Sequence, residues 1–284
     1  MRKPFDEGAK IEYDVSGGMI MEFLCPLCGE ILQRQENRYV CPSNHSFDIA
    51  RQGYVNLLPV QQKKSLHPGD TREQVLSRRE FLDGDFYRPI VENLCQMVQG
   101  SHGPVLDVGC GEGYYSTKIA KSLGAELVGL DISKEAVRCA AARHKDAAWI
   151  CGSAARLPVK DKSIGVLTSL FALTMPEEFL RVLRPDGVFV QVLAAEDHLL
   201  GLKGIIYDNL IHKEKDSVPD LPGFTLIESR PVRFTFTVED KQVQNLLSMT
   251  PHVYRISKEG AKRLEETKTL TDTTSCVINL YKPI

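Results

Sequence analysis

One stretch constrains the fold of this chain more than any other: Val105-Leu106-Asp107-Val108-Gly109-Cys110-Gly111-Glu112-Gly113-Tyr114-Tyr115. The apolar run Pro104 to Val108 predicts a short buried strand. Three glycines at alternate positions follow it. A helical pattern then starts at Tyr114 and takes in Ile119, Ala120 and Leu123. Strand, glycine turn and helix open a βαβ unit, the building block of a parallel sheet. Glycine permits positive φ and lets a ligand lie against bare backbone. A second strand, Glu126 to Leu130, ends in Asp131, and an acid at that point can hold both hydroxyls of a ribose.

The spacing narrows the choice of nucleoside. A dinucleotide fingerprint wants G-x-G-x-x-G, whose last glycine packs helix on strand. Here the glycines are Gly109, Gly111 and Gly113, and Tyr114 stands where that last glycine is needed. With Asp107 at the strand end, the D-x-G-x-G-x-G arrangement resembles the first motif of class I S-adenosylmethionine methyltransferases, and Asp131 matches their ribose acid. The glycine turn alone leaves other α/β proteins open as an alternative.

Composition excludes some classes. A chain of 284 residues holds one large domain or two, and 43% hydrophobic residues suffice for a core. No apolar run approaches the length of a membrane span. The N-terminus is charged and has no apolar signal core, so secretion is not implied. Net charge is −2, so RNA binding needs local basic patches rather than a global field. Residues 1–20 carry little apolar content and predict a flexible extension, with Met19 and Met21 as alternative starts.

Cys25-Pro26-Leu27-Cys28 and Cys41-Pro42-Ser43-Asn44-His45 give the spacing C-x2-C-x12-C-x3-H. Two knuckles joined by a short hairpin, with strands at Ile31-Leu32 and Tyr39-Val40, bring Cys25, Cys28, Cys41 and His45 to one point. That is the tetrahedral set of a structural zinc ion, whose shell four protein ligands close. Cys95, Cys110, Cys139, Cys151 and Cys276 show no paired spacing and read as small buried residues in a reducing compartment.

Between Arg51 and Arg79 stand six Lys or Arg and two acids. Arg51, Lys63, Lys64, Arg78 and Arg79, with Tyr54 among them, could grip phosphates and stack a base. A solvated linker is the alternative. Helices are expected from about Thr71 to Phe81 and from about Tyr87 to Val98, a helical lead-in spanning 71–99.

Taken in order, several segments are similar to the bacterial 23S ribosomal RNA guanine-N1 methyltransferases. They are the four zinc ligands, Gly53 to Leu57, Arg79 with Phe81-Leu82, Asp107 to Tyr115, and Asp131-Ile132-Ser133-Lys134. The resemblance runs from Phe23 to the C-terminus, and the zinc module joined to a class I methyltransferase is its discriminating feature. It implies S-adenosylmethionine and one zinc ion as cofactors and a 23S rRNA hairpin near the peptide exit tunnel as substrate. It also implies a cytoplasmic setting and a homodimer, and in some members macrolide resistance. For the cofactor it implies contacts from Tyr87, Asp107, Gly109, Gly111, Glu112, Gly113, Asp131, Ile132, Ser153, Ala154 and His198. Ser153 departs from the acid that many class I enzymes carry there. Core packing is the alternative for Tyr87, and a capped or solvated position for His198.

The expected fold is α/β: a doubly wound, mostly parallel class I sheet whose last strand is antiparallel, with a small zinc-ribbon-like module at 21–60 and the methyltransferase domain at 61–284. Further strands are expected at Ala148–Cys151, Ile164–Phe171, Gly187–Leu193, Phe224–Phe236 and Ser275–Tyr281. Guanine N1 is buried in base pairing, so the base must be unpaired or extruded. N1 also carries a proton. Asp48, Glu80 and Glu112 are the carboxylates in the matched segments, and none is singled out as a base. Two other classes stay open: a methyltransferase for a small molecule or protein, and an RNA-binding protein with a vestigial cofactor site. The intact glycines and Asp131 argue against the second, and the basic segment beside the zinc knuckles argues against the first.

Overall fold

The computed structural model describes residues 21–59, 68–210 and 216–284. The extension expected over 1–20, and Lys63 and Lys64, lie outside these residues.

A four-stranded antiparallel sheet opens the chain: β1 (Phe23–Leu24), β2 (Ile31–Gln35), β3 (Arg38–Val40) and β4 (Ser46–Asp48), in that order across the sheet. The hairpin between β2 and β3 turns at Glu36, whose φ is +38°. The strand that follows, β5 (Tyr54–Asn56), leaves this module. It pairs in parallel with β8 (Ala148–Cys151), so the segment expected to close the zinc module at residue 60 divides, and Tyr54 to Asn56 form an edge of the large sheet. Tyr54 and Val55 are both buried, each in a different hydrophobic cluster, which a strand lining only a small zinc module would not achieve.

The large sheet has eight strands. The others are β6 (Val105–Val108), β7 (Leu127–Asp131), β9 (Ile164–Leu170), β10 (Leu183–Ala194), β11 (Phe224–Glu239) and β12 (Thr269–Pro283). Their order is β11-β12-β10-β9-β6-β7-β8-β5. Strands β5 to β10 in this sheet run parallel, and β12 is antiparallel to both of its neighbours. The chain steps outward from β6 to β7 and β8, then returns to β9 on the other side of β6. Loops leaving β6 and β9 therefore diverge, and the crevice between them at the carboxyl ends is where open α/β sheets bind ligands.

Side chains alternate between the two faces, as the pleat requires. Val105, Val166, Val188 and Val190 join one cluster, and Leu106, Val128, Leu167 and Phe189 the other. On the first face pack α2 (Arg88–Met97), α3 (Tyr114–Leu123) and α4 (Lys134–Arg143). The second face carries α5 (Pro176–Val182) and the zinc module, whose Phe23, Cys25, Leu32 and Cys41 share a core with Leu157, Val159 and Ile164. An antiparallel bridge from Phe23 to Val159 and a 2.9 Å bond from the Leu24 amide to the Pro158 carbonyl seal that seam.

Ahead of the first parallel strand, α1 (Arg72–Asp83) begins with a capping box in which Thr71 and Gln74 satisfy each other's backbone amides. It packs on α7 (Lys241–Ser248) and α4. The remaining helices are α6 (Leu200–Ile206) and α8 (Lys258–Glu266). No helix among the described residues is long and apolar enough to cross a membrane.

Candidate cofactor and metal sites

The two knuckles converge as their spacing predicts. One ligand atom from each of Cys25, Cys28, Cys41 and His45 lies within 4.8 Å of the others. His45 Nδ1 is 3.5 Å from Cys25 Sγ and 3.3 Å from Cys41 Sγ, and the Cys28 and Cys41 sulfurs are 3.6 Å apart. A tetrahedron with zinc–sulfur bonds of about 2.3 Å has sulfur–sulfur edges of roughly 3.8 Å, so the four atoms already fit the ion. The turns that aim them are local. Gly29 after the first pair has φ +81°, and Asn44 before His45 has φ +61°. Glu30 Oε2 ties the knuckles together, accepting from the Ser43 hydroxyl at 2.6 Å and amide at 3.1 Å. With four protein ligands no position stays open for substrate, so the zinc is structural.

The second site lies at the carboxyl ends of β6, β7 and β8. Gly109, Gly111 and Gly113 all adopt left-handed φ, at +82°, +57° and +88°. Their uses differ. A Cβ on Gly113 would stand 2.6 Å from the Trp149 ring, so this glycine lets α3 and the sheet close on each other. A Cβ on Gly111 would meet only the Arg78 side chain, at 3.7 Å, so its bare backbone faces the crevice. Asp131 is locked to the turn: Oδ2 accepts from the Gly111 amide at 2.9 Å and Oδ1 from the Ser133 amide at 2.8 Å. Burial pushes its carboxyl above the usual range while those amides pull it back. Next to it the apolar Ile132 side chain is 37% exposed, a free surface for a planar ring. Ser153 and Ala154, half-buried, follow β8 on the same edge, and the Gly152 amide bonds the Asp131 carbonyl at 3.0 Å. Bare turn, ribose-type acid and apolar shelf fit the nucleoside of S-adenosylmethionine.

Other expected cofactor residues are placed differently. Asp107 is buried, and its two oxygens accept from the hydroxyls of Ser116 on α3 and Thr168 on β9, the latter at 2.7 Å. Burial pushes its carboxyl up to about 6. It holds helix and strands together beneath the turn. Glu112 is buried too, and its Oε1 has no hydrogen-bond partner among the described residues. Tyr87 is 2% exposed and sits edge-on to Phe81, Phe234 and Phe236, a core position with its hydroxyl beside Thr274. His198 lies past the end of β10, with Nδ1 3.0 Å from the Ser275 carbonyl and its ring 5.9 Å from that of Phe171.

The basic segment does not form one surface. Arg51 is exposed. Tyr54 is 5% exposed inside the core and offers no face to a base. Arg78 pairs with Asp70 and turns toward Gly111, in the field of Glu112 and Asp131, so it belongs to the crevice. Arg79 is half-buried beside Cys139 on α4. Of the three carboxylates in matched segments, Asp48 is exposed on the zinc module, and Glu80 is held by Lys241 at 2.7 Å and Asn245 at 3.2 Å. Thr168 and Ser116 carry no signal in the sequence, because their hydroxyls bear no fixed spacing to Asp107. The loop after β9 does carry one: Phe171-Ala172-Leu173 keeps apolar residues beyond a strand's end.

Residues 23–66 match the family described as RlmA, N-terminal, and residues 105–187 match a Methyltransferase domain. A Streptomyces fradiae protein named 23S rRNA (guanine(748)-N(1))-methyltransferase is 31% identical over 272 residues, spanning 92% of this chain and 96% of its own. The chain belongs to the 23S rRNA guanine-N1 methyltransferase family. Two further relatives carry that family name provisionally. One, from Micromonospora griseorubida, is 36% identical over 63% of this chain and 67% of its own. The other, YxjB of Bacillus subtilis strain 168, is 29% identical over 87% of this chain and 92% of its own. In this guanine-N1 methyltransferase family, the zinc ribbon and the cofactor domain thus align as one continuous unit.

Proposed function

We propose that this protein transfers a methyl group from S-adenosylmethionine to N1 of a guanine in a 23S rRNA hairpin. The observation that carries the reading is the sealed seam between a closed Cys3His module and a class I crevice, matched end to end by a relative named for that activity. The bound cofactor supplies an activated methyl on a sulfonium. Transfer would require N1 to be held in line with that methyl, which would leave the sulfur as it joins N1, and the N1 proton to pass to a base or to water. The residues' task is orientation and exclusion of water, which supply most of such a rate gain. Asp131 and the Gly111 face would hold the ribose and methionine ends, and Ile132, Ser153 and Ala154 the adenine. None of the three carboxylates in the matched segments is assigned as general base: Asp48 is exposed on the zinc module, Glu80 is held by Lys241 and Asn245, and Glu112 is buried.

The zinc module and the exposed Arg51 would receive the hairpin in a cytoplasmic setting, and a homodimer is the assembly the family resemblance suggests. Methylation of 23S rRNA in vitro, followed by primer extension across the hairpin with guanine 748 included, is the test. A stop at one guanine that depends on enzyme and cofactor is expected. Transfer to a small acceptor with none to RNA would replace this reading with a small-molecule methyltransferase.

A further inference from the structure

The loop that leaves β9 carries an apolar tip that the core does not absorb. Phe171 is 41% exposed and Leu173 76% exposed. Phe171 holds φ +54°, a left-handed conformation that an aromatic residue rarely adopts and that collects at functional sites. The tip is clamped rather than loose. The Phe171 amide bonds the Val192 carbonyl at 2.9 Å, Ser169 Oγ bonds the Leu173 carbonyl at 3.1 Å, and Gln191 Nε2 bonds Thr174 Oγ1 at 2.7 Å. Ala172 lies directly on the glycine turn, since a Cβ on Gly109 would stand 2.6 Å from its methyl. The loop therefore occupies the other lip of the crevice between β6 and β9, facing the turn that would hold the cofactor. Beneath the exposed ring sits His198, tilted 34° from it at 5.9 Å.

We infer that Phe171, backed by His198 and flanked by Leu173, is the platform on which the acceptor guanine stacks once it has left its pair. The inference rests on the functional reading above. An extruded base loses its stacking neighbours, and an aromatic face restores them without demanding a sequence. Leu173 would cover the edge of the base and keep water from the methyl in transit. Phe171 is a positioning residue here, orienting the base while taking no part in bond making.

Three proteins test this: wild type, Phe171→Leu and Phe171→Trp. Each is assayed for methylation of a 23S rRNA hairpin fragment, and its S-adenosylmethionine affinity is measured by calorimetry. Leucine keeps apolar bulk and the same backbone demand but has no ring. Its KM for RNA should rise roughly ten- to hundredfold, the equivalent of removing one base–aromatic stack. Cofactor affinity should stay unchanged, and tryptophan should retain the wild-type KM. Equal KM values for leucine and wild type would overturn the platform and leave the rRNA reading intact. Parallel loss of cofactor affinity in the leucine protein would also overturn it, marking Phe171 as a support for the glycine turn. A wild-type enzyme that methylates no 23S rRNA would remove the functional reading and the platform together.

Discussion

At the scale of single residues, two carboxylates in one site do different work because their partners differ. Asp131 lies against two backbone amides at the end of β7, where a ribose would reach it. Replacing it with alanine should weaken S-adenosylmethionine binding by about 1–3 kcal/mol, the scale for hydrogen bonds to a charged group. Calorimetry that finds the affinity unchanged would sink the ribose role. Asp107 faces inward, and burial holds its carboxyl at about 6 in the folded protein against 3.8 as its ordinary value. The folded state therefore binds the proton more tightly than the unfolded state. Its contribution to stability is complete below pH 4 and is lost as pH rises through 6. That loss is on the order of 3 kcal/mol for a shift of this size. Urea unfolding of wild type and Asp107→Asn between pH 4 and 8 should show a steeper decline in the wild type. Both acids stand out in the sequence, but the directions their side chains take do not. The same holds for Tyr54 and Arg78: a residue's type is legible in the chain, but which way its side chain points is settled by neighbours distant in sequence.

At the scale of elements, legibility followed periodicity. Strands β6 to β10 are legible as apolar runs, three of them ending at a glycine or an acid, and the zinc knuckles by spacing alone. β5 did not, because three residues carry no period and only pairing with β8, almost a hundred residues away, assigns it to the large sheet. β12 starts at Thr269, six residues before the apolar stretch at Ser275, because its polar first half is drawn into register by β11. The seam between modules was equally hidden. Treated as separate units, the cofactor domain would be indifferent to the metal. Instead, the bond from Leu24 to Pro158 and the bridge from Phe23 to Val159 hang the zinc module on the loop that also carries Ser153 and Ala154. The purified protein should contain about one zinc per chain. Replacing Cys28 with serine should release it and unfold the knuckles, since metal-binding energy there is folding energy. Cofactor affinity should then fall about tenfold, as if one hydrogen bond to the adenine edge were removed. Metal analysis paired with calorimetry checks both, and full cofactor affinity without zinc would show the seam to be passive.

At the scale of the whole molecule, a net charge of −2 means that RNA must be drawn by local cations. With Arg78 turned into the crevice and Arg79 half-buried against α4, the other basic residues of that segment are Arg51 and Arg72, both exposed, and Lys63 and Lys64, which lie outside the described residues. Replacing Arg51, Lys63, Lys64 and Arg72 with alanine should weaken hairpin binding and flatten its salt dependence by roughly 0.7–0.9 for each phosphate that is no longer neutralised. Filter binding across a salt series reads both quantities, and an unchanged slope would move the RNA-binding surface elsewhere. The large sheet has a further consequence, for self-association. One margin is β5, only three residues long. The other is β11, sixteen residues long, but interrupted by Pro231 and studded with Glu228, Arg230 and Arg233. Short margins, a proline without an amide proton and a fringe of charge are the means by which sheets refuse a stranger's backbone. The margins of the large sheet therefore offer the backbone of a second copy little open ladder on which to continue.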